Sequence, residues 1–273
     1  MRLPYALLAL SVSALAVQPA FADKLDDIVS SGVLRCAVVL DFPPMGSRDA
    51  NNEPVGFDVD YCRDLAKALG VEPEFVETPF PDRIPALISN RADVGVASTS
   101  DTLERAKTIG FSVPYFVFQT VVLTRENANI ATPDDIKGHS VGGPAGSYET
   151  IGLENAVKDY NDPKGQFRAF QSQADTLLAL SQGQIDATWA TSTVAADAVK
   201  SGKYPGFKVV GNAPILPDYT ALITLREEQG LINYLNLFVN QQVRTGRYKE
   251  LYEKWIGNEA GEAPSLTVTG VYR

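Results

Sequence analysis

Leu87-Ile88-Ser89-Asn90-Arg91-Ala92-Asp93 and Leu180-Ser181-Gln182-Gly183-Gln184-Ile185-Asp186 are one junction written twice. Each starts on the last apolar residues of a helical stripe, passes a residue suited to a left-handed helix cap (Asn90, Gly183), and ends on an aspartate that opens a strand. Around the first copy, Val33 to Leu40 is β-rich, and Val59, Cys62, Leu65, Ala66 and Leu69 recur at helical spacing and stop at Gly70. Glu74 to Val76 extends, Ile84, Leu87 and Ile88 form a second stripe, and Val94 to Ala97 returns as a strand. Around the second copy, Ile136 to Val141 leads into a strand, Tyr148 to Asp159 is helical and Phe167 to Phe170 extends. Ser172-Gln173-Ala174-Asp175 then caps the helix that carries Leu177, Leu178 and Leu180. Strands alternating with helices pair in parallel through right-handed crossovers, so the spacing predicts two α/β lobes, each a mainly parallel sheet flanked by helices.

Val113 to Leu123 is an extended apolar and aromatic run with no helix stop, long enough to leave one lobe and enter the other. Tyr219 to Leu225, after Pro214 and Pro217, is a second such run. Beyond it, Leu231 to Val243 forms a long amphipathic helix and Leu251 to Ile256 a short one. The predicted division is residues 1–22 as a leader, 23–118 and 220–273 as a discontinuous first lobe, and 119–219 as a second lobe, with crossings near 116–123 and 215–224. Two lobes joined by two strands make a hinge with a cleft.

Lys plus Arg is 24 and Asp plus Glu is 33, a net charge of −9 over 273 residues, which disfavours nucleic acid or anionic lipid as a partner. One histidine, His139, and two cysteines leave no material for a multi-ligand zinc site, and no metal or other cofactor is expected. Arg2, the apolar run Leu3 to Val17 and Ala20-Phe21-Ala22 have the composition of an export signal cleaved after Ala22. Its removal leaves 23 basic against 33 acidic residues, a net −10. Export to an oxidising compartment opens the question of a Cys36–Cys62 bridge, with Cys36 on a buried strand and Cys62 on the core face of the next helix. Packed free thiols are the favoured reading and the bridge the alternative.

Chemistry gathers at the strand exits. Ser98-Thr99-Ser100-Asp101-Thr102-Leu103-Glu104-Arg105 follows a strand directly, at the sheet edge where ligands bind. Ser100 or Thr102 would cap a helix whose free N–H groups favour a carboxylate, and Arg105 adds a planar fork for two oxygens. Val141-Gly142-Gly143-Pro144-Ala145-Gly146-Ser147-Tyr148 is the matching exit in the second lobe; it lacks the spacing of a nucleotide loop. Phe42, Phe80 and Trp189 are candidate apolar walls, Asp41 and Arg83 candidate readers of a solute side chain, and His139 a surface residue.

The strings Gly32-Val33-Leu34-Arg35, Asp41-Phe42-Pro43-Pro44, Gly56-Phe57-Asp58-Val59-Asp60, Asp82-Arg83-Ile84-Pro85-Ala86-Leu87, Thr102-Leu103-Glu104-Arg105-Ala106, Phe111-Ser112-Val113-Pro114-Tyr115 and Asp135-Ile136-Lys137-Gly138 stand in the order seen in bacterial extracellular solute-binding proteins of family 3. The resemblance spans about residues 26 to 257. It implies a two-lobed periplasmic-binding-protein (Venus flytrap) fold that closes on a small carboxylate or amino acid and delivers it to the membrane permease subunits of an ABC importer. It also implies a periplasmic, monomeric protein with no catalytic residues. By the same resemblance Arg105 clamps the solute carboxylate with help from Ser98, Ser100 and the turn Gly146, Ser147 and Tyr148, while Phe42 and Phe80 flank the side chain. Arg83 matches a residue used on acidic side chains and Asp41 one used on cationic side chains. Thr191 stands where the family places an aspartate for the solute ammonium, so either another acid such as Asp218 or Glu149 substitutes or the solute has no free α-ammonium. A cleft lyase resembling cyclohexadienyl dehydratase is the alternative reading.

Overall fold

A computed structural model describes residues 23–257, so the leader sequence lies outside the described residues. The chain enters through α1 (Lys24–Ser31) and β1 (Val33–Val38), makes a short ladder of β2 (Ser47–Arg48) and β3 (Pro54–Val55), and continues as α2 (Phe57–Leu69), β4 (Glu72–Glu77), α3 (Arg83–Ile88), β5 (Val94–Ser100) and β6 (Ile109–Phe118). It crosses at Gln119 into β7 (Thr120–Arg125), β8 (Ser140–Pro144), α4 (Tyr148–Tyr160), β9 (Gln166–Phe170), α5 (Gln173–Ser181), β10 (Ala187–Thr191), α6 (Ser192–Lys200) and β11 (Phe207–Asn212). It returns through β12 (Asp218–Leu225) and ends in α7 (Gln229–Arg244) and α8 (Arg247–Trp255).

Two five-stranded sheets result, ordered β4-β1-β5-β12-β6 and β11-β7-β10-β8-β9. In each, four strands run in one direction, three of them paired in parallel, and one strand is reversed against both its neighbours: β12 against β5 and β6, and β7 against β10 and β11. The reversed strand is in each case the one arriving from the other lobe. Helix–strand alternation predicts the parallel part; the reversals follow from the chain having to cross twice.

The repeated aspartate does the same work in both lobes. Asp93 takes its own ladder bond to Arg35 O at 2.9 Å and accepts from Arg35 N at 3.0 Å, and its carboxylate pairs with the Arg35 guanidinium at 2.6 Å. Asp186 bonds Ser140 O at 2.6 Å, accepts from Ser140 N at 3.2 Å, and pairs with Arg125 at 3.1 Å. Each stitches the start of its strand to the parallel neighbour. Asn90 and Gly183 just before take φ of 55° and 72°, the left-handed cap that ends a helix cleanly. His139 is tied to the second copy, its Nδ1 3.2 Å from Asp186 Oδ2.

The first-lobe core is aromatic: Phe57, Tyr61 and Tyr115 stack at 4.9 to 5.7 Å between neighbouring rings, sealed by Phe116 and Phe238. The C-terminal helices return to this lobe, α7 against β6 and α8 against α2, where Lys254 Nζ and Trp255 Nε1 both donate to Asp60 at 2.6 and 2.8 Å. Cys36 of β1 and Cys62 of α2 form a disulfide, which corrects the reading of two packed thiols. A strand and the helix laid over it bring the two Cα atoms to 6.4 Å, inside the range a disulfide spans. Sequence periodicity places both residues on facing surfaces but not at one height along them.

Candidate functional site

The lobes meet over a small, partly open cavity, with about 10 Å³ available to the centre of a water-sized sphere. Its apolar side is Phe42, Phe80 and Phe118, packed edge to face with ring centroids 5.1 Å (Phe42–Phe80) and 5.8 Å (Phe42–Phe118) apart. Its polar side is Arg83, Ser98 and Ser100 from the first lobe, Ser147, Tyr148, Glu149 and Thr191 from the second, and Asp218 from the returning strand β12. Phe118, the last residue of β6, carries no motif and escapes the sequence reading; only its place at the end of the first crossing run points to it.

Ser98 anchors the strand exit in an uncommon conformation, φ 47°, which a non-glycine residue holds only when its surroundings over-determine it. Here they do. Tyr115 Oη accepts from Ser98 N at 3.0 Å, Ser98 Oγ donates to Asp58 Oδ2 at 2.9 Å, and Tyr115 Oη donates to Asp58 Oδ1 at 2.7 Å. Arg83 is buried and makes four bonds to carbonyls: Nε on Phe80 O at 2.9 Å, Nη1 on Ala97 O and Ser98 O at 2.8 Å each, and Nη2 on Gly146 O of the opposite lobe at 3.1 Å. Its guanidinium also lies 4.7 Å from the Phe80 ring centre. Burial lowers its pKa to about 9. Arg83 lines the cavity, as expected of a side-chain reader, and it also braces the cavity wall and the lobe contact, with four of its five N–H groups on carbonyls.

Arg105 turns into the seam between the lobes. Its Nη1 donates to Ser100 O at 3.2 Å and its Nη2 to Gly146 O at 2.9 Å, so two guanidiniums converge on one carbonyl. It borders the cavity without lining it, and burial lowers its pKa. The helix expected after Ser98 to Thr102 is absent: only a single 3-10 turn, Arg105–Lys107, forms there, with Thr102 Oγ1 accepting from Arg105 N at 3.3 Å. Attraction for an anion on this side thus rests on guanidinium and not on a helix end.

Asp41, expected to read a cationic side chain, does not line the cavity. Its Oδ2 accepts from Gln173 N at 2.8 Å, at the start of α5 in the other lobe, so it fastens the lobes together. A carboxylate suits the positive end of a helix, although burial raises its pKa. Trp189, offered as a wall, is packed in the second-lobe core instead. Thr191 does line the cavity, but its hydroxyl is occupied in capping α6, accepting from Val194 N at 3.4 Å with Thr193 Oγ1 3.0 Å away. Ser147 likewise caps α4, accepting from Thr150 N at 3.2 Å.

Gly146 is the contact point of closure. It adopts φ 79°, and a Cβ there would stand 3.1 Å from the backbone of Pro81 across the seam. Gly146→Ala is expected to hold the lobes apart and weaken solute binding at least tenfold, measured by calorimetry; unchanged affinity would mean that this approach is dispensable.

Three carboxyls at the site are pushed up by burial: Asp58 and Asp218 to about 7 each, and Glu149 upward as well, with Glu149 adding to the shift of Asp218. Arg83 and Arg105 partly oppose the shifts of Glu149 and Asp218, as Arg83, Tyr115 and Ser98 do for Asp58. Between the ordinary carboxyl value near 4 and pH 7, Asp58 and Asp218 are ionised in the unfolded chain but protonated in the fold. Each pH unit gained in that window therefore removes about 1.4 kcal/mol of stability per group. The ligand-free protein is expected to melt higher at pH 5.5 than at pH 7.5, and Asp58→Asn to flatten that slope. A melting temperature that rises steadily from pH 5.5 to 7.5 would show these acids to be ionised in the fold.

Residues 34–258 match the family described as "Bacterial extracellular solute-binding proteins, family 3", and the chain belongs to it. Among relatives, the "Probable histidine-binding protein" of Neisseria gonorrhoeae is 28% identical over 264 residues, 93% of this chain and 96% of that protein. Among solved structures, an ancestral arginine-binding protein bound to arginine superposes with a TM-score of 0.77 at 32% identity, covering 83% of this chain and 99% of that one. The ancestral amino acid-binding protein AncCDT-1, described as a precursor of cyclohexadienyl dehydratase, gives 0.75 at 31% identity, covering 86% of this chain and 100% of that one.

Proposed function

We propose that this protein is the solute-capturing component of an ABC importer, closing its two lobes over one small amino acid or related carboxylate and presenting the closed form to the permease outside the cytoplasm. The observation that carries the reading is the convergence of Arg83 and Arg105 on Gly146 O across the seam beside a small, aromatic-walled cavity. A solute carboxylate reaching Arg105 takes the place of one neutral acceptor with a charged one, and charge-assisted bonds are roughly twice as strong as neutral ones. Closure is then driven by the solute's higher affinity for the closed state, with no bond broken. Relatives named for histidine, arginine and other amino acids support the solute class.

The test is a thermal-shift screen of the mature protein, confirmed by calorimetry, with the L-amino acids, amines, opines and simple carboxylates. Stabilisation by an amino acid supports the reading, and stabilisation by none of these classes removes it. Glu149 and Asp218, two buried acids in the cavity, also give a cleft lyase the general acid it would need. Prephenate belongs in the same screen, and its turnover would put an enzyme in place of the receptor.

A further inference from the structure

We propose that Glu149 and Asp218 jointly seat the cationic group of the solute, so that the cavity selects a small zwitterion and each pole of that zwitterion ties one lobe to the other. The inference rests on the cavity being the solute site, and it names the chemistry of the solute and the residues that choose it.

Both carboxyls are buried and both line the cavity. Neither forms an ion pair with any described residue, and neither do Arg83 and Arg105, whose guanidinium hydrogen bonds all go to backbone carbonyls. The two acids and Arg83 thus line one cavity, with Arg105 at its border, without direct pairing. A buried charge without a partner is costly, and two like charges facing one space are costlier. A cation placed between the acids relieves both terms at once.

Topology gives the pair its second property. Asp218 begins β12, in the first-lobe sheet, and Glu149 lies in the first turn of α4, in the second lobe. One Asp218 oxygen accepts from Ser100 Oγ at 3.1 Å, which orients the carboxyl along the β5 exit. A cation held by both acids therefore bridges the lobes on one side of the cavity, while a carboxylate at Arg105, next to Gly146 of the second lobe, bridges them on the other. Thr191 offers only a capping hydroxyl, so it supplies no counter-charge. No group of three or more histidine, cysteine, aspartate or glutamate side chains suited to a metal occurs among the described residues, so an organic ammonium fits two acids better than a metal ion does.

The experiment measures affinity by calorimetry for L-alanine, L-histidine, L-cysteine and L-arginine, each beside its ammonium-free analogue (propionate, imidazolepropionate, 3-mercaptopropionate, 5-guanidinovalerate). Wild type, Glu149→Gln, Asp218→Asn, the double variant and Asp218→Asn/Thr191→Asp are compared, with melting curves to establish folding. For the best-binding amino acid, each single variant is expected to lose at least tenfold. The double variant should lose the wild-type preference over the ammonium-free analogue, and Thr191→Asp should recover at least tenfold by returning a carboxylate to the cavity. Folded single variants within threefold of wild type, or a wild type that binds the ammonium-free acid as tightly as the amino acid, would overturn the inference and leave the receptor reading intact. Failure of wild type to bind any L-amino acid would overturn the amino acid reading itself, and this inference with it.

Discussion

Arg105→Ala is expected to lower solute affinity at least a hundredfold and to abolish ligand-induced thermal stabilisation. The side chain sits at the seam with Nη2 on Gly146 O and Nη1 on Ser100 O, so its loss removes both a lobe-to-lobe bond and the charge beside the cavity. A solute carboxylate would then be buried without its partner, a situation that costs about 3–5 kcal/mol when one member of a buried pair is deleted. Arg105→Lys should recover only part of the loss, because an ammonium cannot offer two parallel donors to a carboxylate. The fold should survive both changes, since Arg105 lies on a short 3-10 turn outside the core. Full affinity retained by Arg105→Ala would discard the carboxylate clamp.

Removing the disulfide is expected to have the largest effect on stability. Cys36 and Cys62 close a loop with a sequence separation of 26, for which the chain-entropy account gives roughly 3–4 kcal/mol. Cys36→Ala/Cys62→Ala should therefore lower the melting temperature by about 7–14 °C for a protein of this size. The bond fastens α2 to β1, and α2 carries Asp58, whose two oxygens hold Ser98 Oγ and Tyr115 Oη at the cavity edge. Loosening α2 is thus expected to weaken solute binding as well as the fold. A double variant that melts within about 2 °C of wild type would show that the bond adds little beyond the packing of two thiols.

The two junctions that end in Asp93 and Asp186 carried most of the fold. Helix periodicity, the left-handed caps at Asn90 and Gly183, and a strand opening on aspartate are local features, and local features are written in consecutive residues. The site was legible to the extent that it follows from strand exits: Ser98, Ser100, Ser147, Tyr148, Phe42, Phe80 and Thr191 all line the cavity, because the carboxyl ends of parallel strands point into the cleft. Phe118 was not, and Glu149 and Asp218 appeared only as possible replacements for a missing acid. Their membership depends on how a crossing strand and a helix of the opposite lobe come together.

Sequence alone determined two α/β lobes, two crossings, and the strand exits at which binding groups collect, since each is set by neighbours a few residues apart. Tertiary structure decided that Cys36 meets Cys62, that Asp41 grips the start of α5 instead of lining the cavity, that Arg83 spends four of its five N–H groups on carbonyls, and that Arg105 reaches Gly146. In each of these cases the chain's composition supplied a charge or a thiol, and its partner was chosen by the closing of one lobe or layer upon another. Hydrogen bonds and disulfides are satisfied over a few ångströms in space, and residues far apart in the chain come within that distance only after the sheets have formed and the lobes have met.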